Sequence, residues 1–200
     1  MSDLAEAIWE HVPPGAVPER FAQRRDWLLA HVPAGAHVLD LGCGAGEFAT
    51  ALREAGAHPV GVDVAREPLR RATQRDPALD VRLWAAGEPL PAADASFDVA
   101  WAGEVLEHVV DLAPWLSEVH RSLRPGGELL VTTPHHGPGT LLALALSRRR
   151  FAEHFEPRSD HVRFFSPATL RELLGDLGFD VLEARPALHR STILCRARRA

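Results

Sequence analysis

The sequence predicts an α/β protein whose parallel sheet is covered by helices on both faces. Segments with the pattern of buried strands alternate with amphipathic helical segments between residues 18 and 133. A glycine-rich turn follows the first strand, and an aspartate, Asp63, ends the second. Strands that alternate with helices are joined by right-handed crossovers, which makes the strands parallel and buries the sheet between two helical layers.

Hydrophobic patterns assign the elements in order along the chain. Residues 18–32 are predicted as an amphipathic helix, because Phe21, Leu28 and Val32 share one side and arginines occupy the other. The same reasoning predicts strands at residues 37–41, 59–63, 81–85, 97–102 and 128–133. Helices are predicted between them at residues 46–55, 67–75 and 112–123.

Regular patterning stops after Pro134 and returns at Ser166. The intervening residues, 135–165, contain four histidines, an apolar run (LLALAL) and three consecutive arginines, without a clear strand. Ser166 is predicted to cap a helix that begins at Pro167, and strands are predicted at residues 179–184 and 191–196. We interpret the irregular part as a lid over the ligand edge of the sheet.

Composition excludes several kinds of chemistry. All 22 basic residues are arginine and tyrosine is absent, which rules out a P-loop lysine, a Schiff base and a tyrosine general acid. The net charge of −5 disfavours nucleic acid as a partner. Two distant cysteines give neither a disulfide framework nor a zinc-thiolate site. With no signal peptide and no apolar run long enough to cross a bilayer, a cytoplasmic location is expected.

The glycine-rich turn predicts a nucleoside site. Gly42, Gly44 and Gly46 lie where ligands of open α/β sheets bind, and Asp63 ends the next strand, where a carboxylate can accept from both hydroxyls of a ribose. A dinucleotide fold would have a third glycine at position 47, but Glu47 stands there and would repel a pyrophosphate at the helix N-terminus. The pattern therefore favours a ribose with a zwitterionic tail.

Five stretches between residues 38 and 134 resemble the class I S-adenosylmethionine-dependent methyltransferases: VLDLGCGAG, GVDVA, LPAADASFDVA, EVLEHV and LRPGGELLVTTP. The resemblance implies a Rossmann-like, seven-stranded, mostly parallel sheet whose last strand is antiparallel, with S-adenosyl-L-methionine as the cofactor. It also implies one domain over residues 1–200. Its parts would be an N-terminal helical cap (1–35), a cofactor-binding core (36–134), a lid (135–165), and a C-terminal helix with antiparallel strands (166–200).

The family's cofactor contacts transfer to individual positions of this chain. Gly42 and Gly44 would approach the methionine and ribose, Asp63 would bind the ribose hydroxyls, and Val64 would face the adenine. Gly103 matches a position near the sulfonium. Cys43 lies among these contacts and is interpreted as a small buried side chain, because no base is assigned to it.

Two positions leave alternatives open. Relatives often have an aspartate at the end of the third strand that accepts from the adenine amine, but this chain has Ala86. Backbone groups of Ala86 and Gly87 would serve instead. Arg24 matches an arginine that holds the cofactor carboxylate, although a solvated helix face would explain it equally well.

A second candidate site lies in the stretch GEVLEHV. Glu104, Glu107 and His108 are spaced i, i+3 and i+4, so they would share one face of a helical turn and bind a divalent metal, with His161 of the lid as a further ligand. This combination resembles the ubiquinone-biosynthesis O-methyltransferases and the small-RNA 3′-terminal 2′-O-methyltransferases. The resemblance implies Mg²⁺ or Mn²⁺ that presents vicinal hydroxyls, with His108 as the base. The alternative is a hydrogen-bonded Glu107–His108 pair without metal.

The leading hypothesis is O-methylation of a small molecule with a hydroxyl or vicinal hydroxyls. The alternatives are methylation of RNA 3′ ends and, because of Ala86, a cofactor-binding module without catalysis. A nicotinamide dehydrogenase is disfavoured by Glu47 and by the missing tyrosine and lysine. The segment TLLALALSRRR is interpreted as a lid helix, with weak contact to a membrane surface as the other possibility.

Overall fold

The structure, a computed structural model, describes residues 2–154, 160–189 and 191–200. Its sheet contains seven strands: β1 (His37–Leu41), β2 (His58–Asp63), β3 (Asp80–Leu83), β4 (Phe97–Gly103), β5 (Leu123–Pro134), β6 (Phe179–Ala187) and β7 (Thr192–Arg199). The strand order is β3-β2-β1-β4-β5-β7-β6. Strands β1 to β5 pair in parallel, and β7 is antiparallel to both β5 and β6. The predicted seven-stranded sheet with an antiparallel last strand is confirmed.

Eight helices pack around this sheet in the described part of the chain: α1 (Ser2–His11), α2 (Phe21–Leu29), α3 (Glu47–Glu54), α4 (Arg66–Arg75), α5 (Leu112–Ser122), α6 (Pro138–Ala145), α7 (Arg148–His154) and α8 (Pro167–Asp176). A single 3₁₀ turn spans Leu106–His108. As predicted, Ser166 caps α8 by accepting a hydrogen bond from Thr169 N at 3.2 Å, and Pro167 begins the helix.

Strand side chains alternate between two apolar layers, as a sheet buried on both faces requires. One layer joins the odd-numbered residues of β1 and β5 to α5 and α8, and includes Leu39, Leu129, Leu116 and Leu170. The other layer joins Val38, Val99, Trp101 and Leu130 to Leu28, Phe48 and Leu52 of α2 and α3. These two layers hold the carboxyl ends of the strands in fixed positions.

The order of the strands places a ligand crevice between β1 and β4. Chain connections leave these two neighbouring strands in opposite directions, and open α/β sheets bind ligands at such a switch point, beyond the carboxyl ends of the strands. Gly42 follows β1, Asp63 ends β2 and Gly103 ends β4. The fold therefore gathers three of the predicted site residues at one edge.

Some element bounds differ from the predictions. Helix α2 begins at Phe21, because Arg20 has a left-handed φ of 52°. Strand β5 begins at Leu123, which pairs with Phe97 five residues before the predicted start at residue 128. Arg124-Pro125-Gly126-Gly127, which by local preference favour a turn, lie between this pair and the regular pairing that begins at Glu128, where the register with β4 shifts.

The segment expected to form a lid contains two helices, and the lid helix predicted for TLLALALSRRR overlaps both. Helices α6 and α7 lie within residues 135–165, of which residues 155–159 are outside the described part of the chain. Helix α6 is apolar on several sides, so it has no helical periodicity to detect. Both ends of this segment are tied to each other by a parallel bridge between His135 and Phe165. No helix among the described residues is long and apolar enough to cross a bilayer.

Candidate cofactor and acceptor sites

The turn after β1 has the backbone that its glycines predict. Gly42 and Gly44 have φ values of 62° and 55°, in the left-handed region that other residues rarely adopt. A Cβ on Gly42 would lie 2.7 Å from Cγ2 of Val105, so a side chain would not fit there without movement. The turn can therefore bring its backbone close to a ligand at the mouth of the crevice.

Asp63 links the ends of β1 and β2. Its Oδ2 accepts a hydrogen bond from Gly44 N and its Oδ1 accepts one from Ala65 N, each at 3.0 Å. Only 9% of Asp63 is exposed, and burial raises the pKa of its carboxyl above the usual range although both backbone bonds oppose this. Each carboxylate oxygen keeps a further lone pair, so Asp63 can still accept from ribose hydroxyls.

Arg24 is buried at the carboxyl end of β4 and β5. It is 3% exposed, its Nε donates to Thr132 Oγ1 at 3.1 Å, and its Nη1 donates to the Glu19 carbonyl at 3.2 Å. The guanidinium carbon lies 5.0 Å from the centre of the Phe48 ring. A solvated helix face is therefore the wrong interpretation of Arg24. The geometry leaves a buried cation directed toward the crevice.

Gly103 provides the space that Arg24 occupies. A Cβ at Gly103 would lie 2.5 Å from Nη2 of Arg24 and 2.6 Å from Cζ2 of Trp101. Any larger residue here would displace the guanidinium. The sequence predicted Gly103 as a cofactor contact, and the structure adds that it accommodates the buried arginine.

Three ionisable groups near this point have polar atoms that are buried without a hydrogen-bond partner among the described residues. They are Nη2 of Arg24, Oδ2 of Asp40 and Oε1 of Glu104. Arg24 interacts electrostatically with both carboxylates. Because unpaired buried charge is costly, such a set fits a ligand with a carboxylate for Arg24 and an ammonium for the acids. This is the chemistry of an amino-acid group, so these residues fit the methionine part of the implied cofactor.

Asp40 was not predicted as a site residue, although an ionisable side chain within the buried strand VLDL indicates a special role. Asp40 is 1% exposed, and burial together with the charges of Asp63 and Glu47 raises the pKa of its carboxyl to about 8. The carboxyl therefore holds its proton near neutral pH until a cation approaches it.

The remaining residues predicted as cofactor contacts follow the ends of β1, β2 and β3. Cys43 is 5% exposed, and burial raises the pKa of its thiol well above the usual value, which fits an unreactive side chain. Val64 is half-buried directly after Asp63. Ala86 and Gly87 are exposed in a turn that begins beside β2, where Trp84 N donates to the Asp63 carbonyl at 2.8 Å. Their backbone groups are accessible.

Glu107, His108 and His161 form the second site. One ligand atom from each lies within 4.8 Å of the others, a spacing compatible with a shared metal ion. Glu107 is 2% exposed, and its Oε2 accepts from Thr133 Oγ1 at 2.9 Å. Its Oε1 lies 4.0 Å from Nε2 of His108 and has no hydrogen-bond partner among the described residues. Burial and the charge of Glu104 raise the pKa of Glu107 to about 7. An unpaired buried carboxylate oxygen facing two imidazoles fits a divalent cation.

Asp160 orients His108, a contact that the sequence did not reveal. Nδ1 of His108 lies 3.2 Å from both Oδ2 and the backbone carbonyl of Asp160. Burial lowers the pKa of His108, but the hydrogen bond to Asp160 and the charge of Glu107 outweigh it and raise the pKa above the usual value. The Glu107 carbonyl accepts from Val162 N at 2.8 Å and from Arg163 N at 3.2 Å, which holds the segment after Asp160 in place.

The helical turn expected over residues 104–108 is wrong. Only Leu106–His108 is helical, as a 3₁₀ turn, and Glu104 precedes it with a left-handed φ of 58°. The Glu104 carboxyl faces Arg24 and the Thr132 hydroxyl, and it does not belong to the group formed by Glu107, His108 and His161. The strand end before the turn, with Glu104 N bonded to the Thr132 carbonyl, imposes this separation.

Sequence comparisons identify relatives over most of the chain. A family profile described as "Methyltransferase domain" matches residues 9–184. A Mycolicibacterium smegmatis protein named "Probable S-adenosylmethionine-dependent methyltransferase" is 34% identical, covering 90% of this chain and 67% of the relative. The ubiquinone biosynthesis O-methyltransferase of Aeromonas salmonicida is 30% identical over 74% of this chain and 65% of its own length. The mitochondrial human enzyme of that name is 33% identical over 78% and 47%. The chain thus spans about two thirds of the bacterial relatives and about half of the human one.

Solved structures show the same fold. One is a chain of the complex between the Haloferax volcanii Trm112 methyltransferase activator and a methyltransferase, with a TM-score of 0.75 and 23% identity over 98% of this chain and 95% of that one. Another is a methyltransferase from Methanosarcina mazei, with a TM-score of 0.67 and 22% identity over 86% and 96% of the two chains. At these identities the likeness describes architecture alone.

Proposed function

The chain belongs to the S-adenosylmethionine-dependent methyltransferases, and we propose that it methylates a hydroxyl oxygen of a small molecule, preferably one with vicinal hydroxyls. The observation that carries this proposal is the group of Glu107, His108 and His161 beside the end of β4. A carboxylate and two imidazoles can provide a base or bind a divalent cation, and either can activate a hydroxyl. The resemblance to ubiquinone-biosynthesis O-methyltransferases supports the same chemistry.

We assign the cofactor to the crevice between β1 and β4. Arg24 would hold its carboxylate, Asp40 and Glu104 its ammonium, and Asp63 its ribose hydroxyls, while Gly42, Cys43, Gly44 and Gly103 line the path between them. Val64, Ala86 and Gly87 would surround the adenine. These contacts would bring the sulfonium toward the end of β4, beside the second site. Fixing both reactants at contact distance supplies much of the rate acceleration.

Without a bound metal ion, His108 would serve as the base. S-adenosylmethionine, when bound, would supply the methyl group to the acceptor oxygen, and its sulfonium would leave as a neutral thioether. The hydroxyl proton passes to Nε2 of His108, since Nδ1 faces Asp160 at 3.2 Å. A Mg²⁺ or Mn²⁺ ion held by Glu107, His108 and His161 would lower the pKa of the hydroxyl. With that ion bound, His108 would be a ligand, and the proton would pass to solvent.

An acceptor with an apolar body fits the surroundings of this site. Val110, Val162 and Phe164 are 54%, 52% and 45% exposed, and Arg163 Nε donates to the Val109 carbonyl at 2.9 Å, which holds the Val162–Phe164 strip beside Val110. In α6, Leu141 and Leu142 are also half or more exposed. These side chains, with the arginines that begin α7, support weak contact with a membrane surface as a second role of the lid.

RNA is the less favoured acceptor, because the net charge of −5 opposes binding of a polyanion. The group of Glu107, His108 and His161 weighs against a module without catalysis, because binding of the cofactor alone does not require it. Both cysteines of the chain are buried and unpaired, which supports the proposed cytoplasmic location.

Methyl transfer to a catechol tests this function. We expect the protein to convert catechol to its monomethyl ether, to lose that activity after exhaustive chelation, and to recover it with Mg²⁺ or Mn²⁺. His161→Ala should reduce the activity about tenfold or more, because it removes a ligand, while His189→Ala changes an exposed residue and should have no effect. Activity that survives both chelation and His161→Ala would exclude the metal and leave Glu107 and His108 as a structural pair.

A further inference from the structure

Helix α1 lies against the glycine turn that forms one side of the proposed cofactor site. Cζ2 of Trp9 lies 3.2 Å from the position that a Cβ on Gly44 would take. Gly44 is also the residue whose N–H bonds to Asp63. The indole of Trp9 therefore covers the outer side of the turn that would contact the ribose and methionine.

Contacts with α4 fix α1 in this position. The Glu6 carboxylate accepts hydrogen bonds from the first two amides of α4: Oε1 from Arg66 N, and Oε2 from Glu67 N at 3.1 Å. The first amides of a helix have no partner within it, and the helix dipole favours a carboxylate there. Arg71 donates from Nη2 to the Trp9 carbonyl at 2.9 Å and from Nη1 to the Val12 carbonyl at 2.8 Å.

Helix α4 begins at Arg66, two residues after Val64, so α1 is attached beside the position assigned to the ribose and adenine. Trp9 contacts Gly44, whose N–H bonds to Asp63, and Asp63 is only 9% exposed. Displacement of α1 would therefore open the side of the crevice next to this carboxylate.

We propose that Trp9 is a further cofactor-contacting residue and that Glu6 is a positioning residue, which holds α1 closed over the bound cofactor by capping α4. This inference rests on the proposed assignment of Gly44 and Asp63 to the cofactor. In the closed state Trp9 packs against the ligand and slows its departure. When the Glu6 contacts break, α1 leaves α4 and the ligand can exchange.

The proposal predicts a change in exchange rates. Trp9→Ala should release S-adenosylhomocysteine about tenfold faster, because aromatic contact area is lost and affinity changes act mainly on dissociation. Glu6→Ala should also speed release and should increase hydrogen exchange at the amides of Arg66 and Glu67. Glu6→Gln keeps an acceptor without the charge, so its release rate should lie between those of the wild type and Glu6→Ala.

Stopped-flow displacement of S-adenosylhomocysteine from the full chain provides the test. Leu4→Ala is the matched control, since Leu4 is on the same helix and 53% exposed. Circular dichroism and thermal unfolding check that each variant is folded. Release rates equal to wild type in both Trp9→Ala and Glu6→Ala would contradict the proposal that α1 covers the bound cofactor, and would leave the cofactor assignment intact. A wild type that binds neither S-adenosylmethionine nor its product would contradict the cofactor assignment itself.

Discussion

Three side chains in the crevice are buried ionisable groups whose charged forms are unfavourable, and a ligand of opposite charge can offset that free-energy cost. Arg24, Asp40 and Glu104 each have a buried polar atom without a partner among the described residues, and burial disfavours the ionised form of all three. A zwitterionic ligand supplies the opposite charges at once. Affinity for the amino-acid end of the cofactor and stability of the free protein are therefore linked through the same groups.

The carboxyl of Asp40 should make stability depend on pH. Its pKa is about 8 in the folded protein, against an ordinary value of 3.8. Between these values the folded state retains a proton that the unfolded state has released. The contribution of Asp40 to the free energy of unfolding is therefore fully present at acid pH and is lost as the pH rises through about 8. We expect urea unfolding to give a lower free energy of unfolding at pH 9 than at pH 6, by up to about 3 kcal/mol.

Asp40→Asn tests this assignment, because the amide keeps the shape of the side chain and cannot ionise. The difference in the free energy of unfolding between pH 6 and pH 9 should shrink in this variant. Asp180→Asn is the control, since Asp180 is exposed. A pH difference as large in Asp40→Asn as in the wild type would show that another group is responsible.

Residues whose role follows from local sequence were predictable, and those joined by distant contacts were not. Gly42, Gly44 and Asp63 are identified by their spacing around two strand ends. Asp160 meets His108 across 52 positions, and Glu6 meets Arg66 across 60. Nothing in the local pattern of either acid indicates its partner. The spacing of Glu104 was misleading, because a helical turn was assumed where a strand ends.

Among the elements, the described residues of the segment 135–165 leave several large apolar side chains exposed. Leu146 of this segment is 80% exposed and Phe151 is 52% exposed, whereas Leu144 is buried. Residues 160–163 are held near the sheet by His108, which contacts Asp160, and by the Glu107 carbonyl, which accepts from two of their backbone amides. Elements with few buried apolar contacts open at low free-energy cost, so this one is suited to admit an acceptor.

Hydrogen exchange should detect this opening. Amides of α6, α7 and residues 160–165 are expected to exchange quickly in the free protein and more slowly when S-adenosylhomocysteine and a catechol are both bound. Strand β4, buried in the sheet, serves as the internal reference, because its amides should be protected in both states. Equal protection of the segment with and without ligands would exclude a lid.

The strands and the amphipathic helices were predicted because their periodicities differ. Buried strands such as β1 and β4 are short apolar runs, and α3 and α5 follow a helical period. A helix was predicted in TLLALALSRRR, but its division into α6 and α7 was not, because the first part is apolar on several sides and the second begins with three arginines. Strand β5 was underestimated, since Leu123 pairs with Phe97 ahead of an irregular stretch that contains a proline and two glycines.

For the whole molecule, the topology determines where chemistry occurs. The order β3-β2-β1-β4-β5-β7-β6 places the ends of β1, β2 and β4 together, and helices from distant parts of the chain complete the crevice. Arg24 of α2 enters it at the end of β4, and Trp9 of α1 covers the turn after β1. Because these parts adjoin only in the folded chain, a cofactor that contacts all of them should stabilise the whole domain.

Calorimetric titration with S-adenosylmethionine, beside the same titration with NAD, tests the central claim most directly. We expect the wild type to bind S-adenosylmethionine and not NAD, because the first residue of α3 is Glu47, where a dinucleotide fold has its third glycine, and its buried side chain pairs with Arg75. Asp63→Ala should weaken binding by roughly 1.5–3 kcal/mol, the cost of removing a charged acceptor. Asp180→Ala should bind as the wild type does. Unchanged affinity in Asp63→Ala, or preference for NAD, would contradict the account.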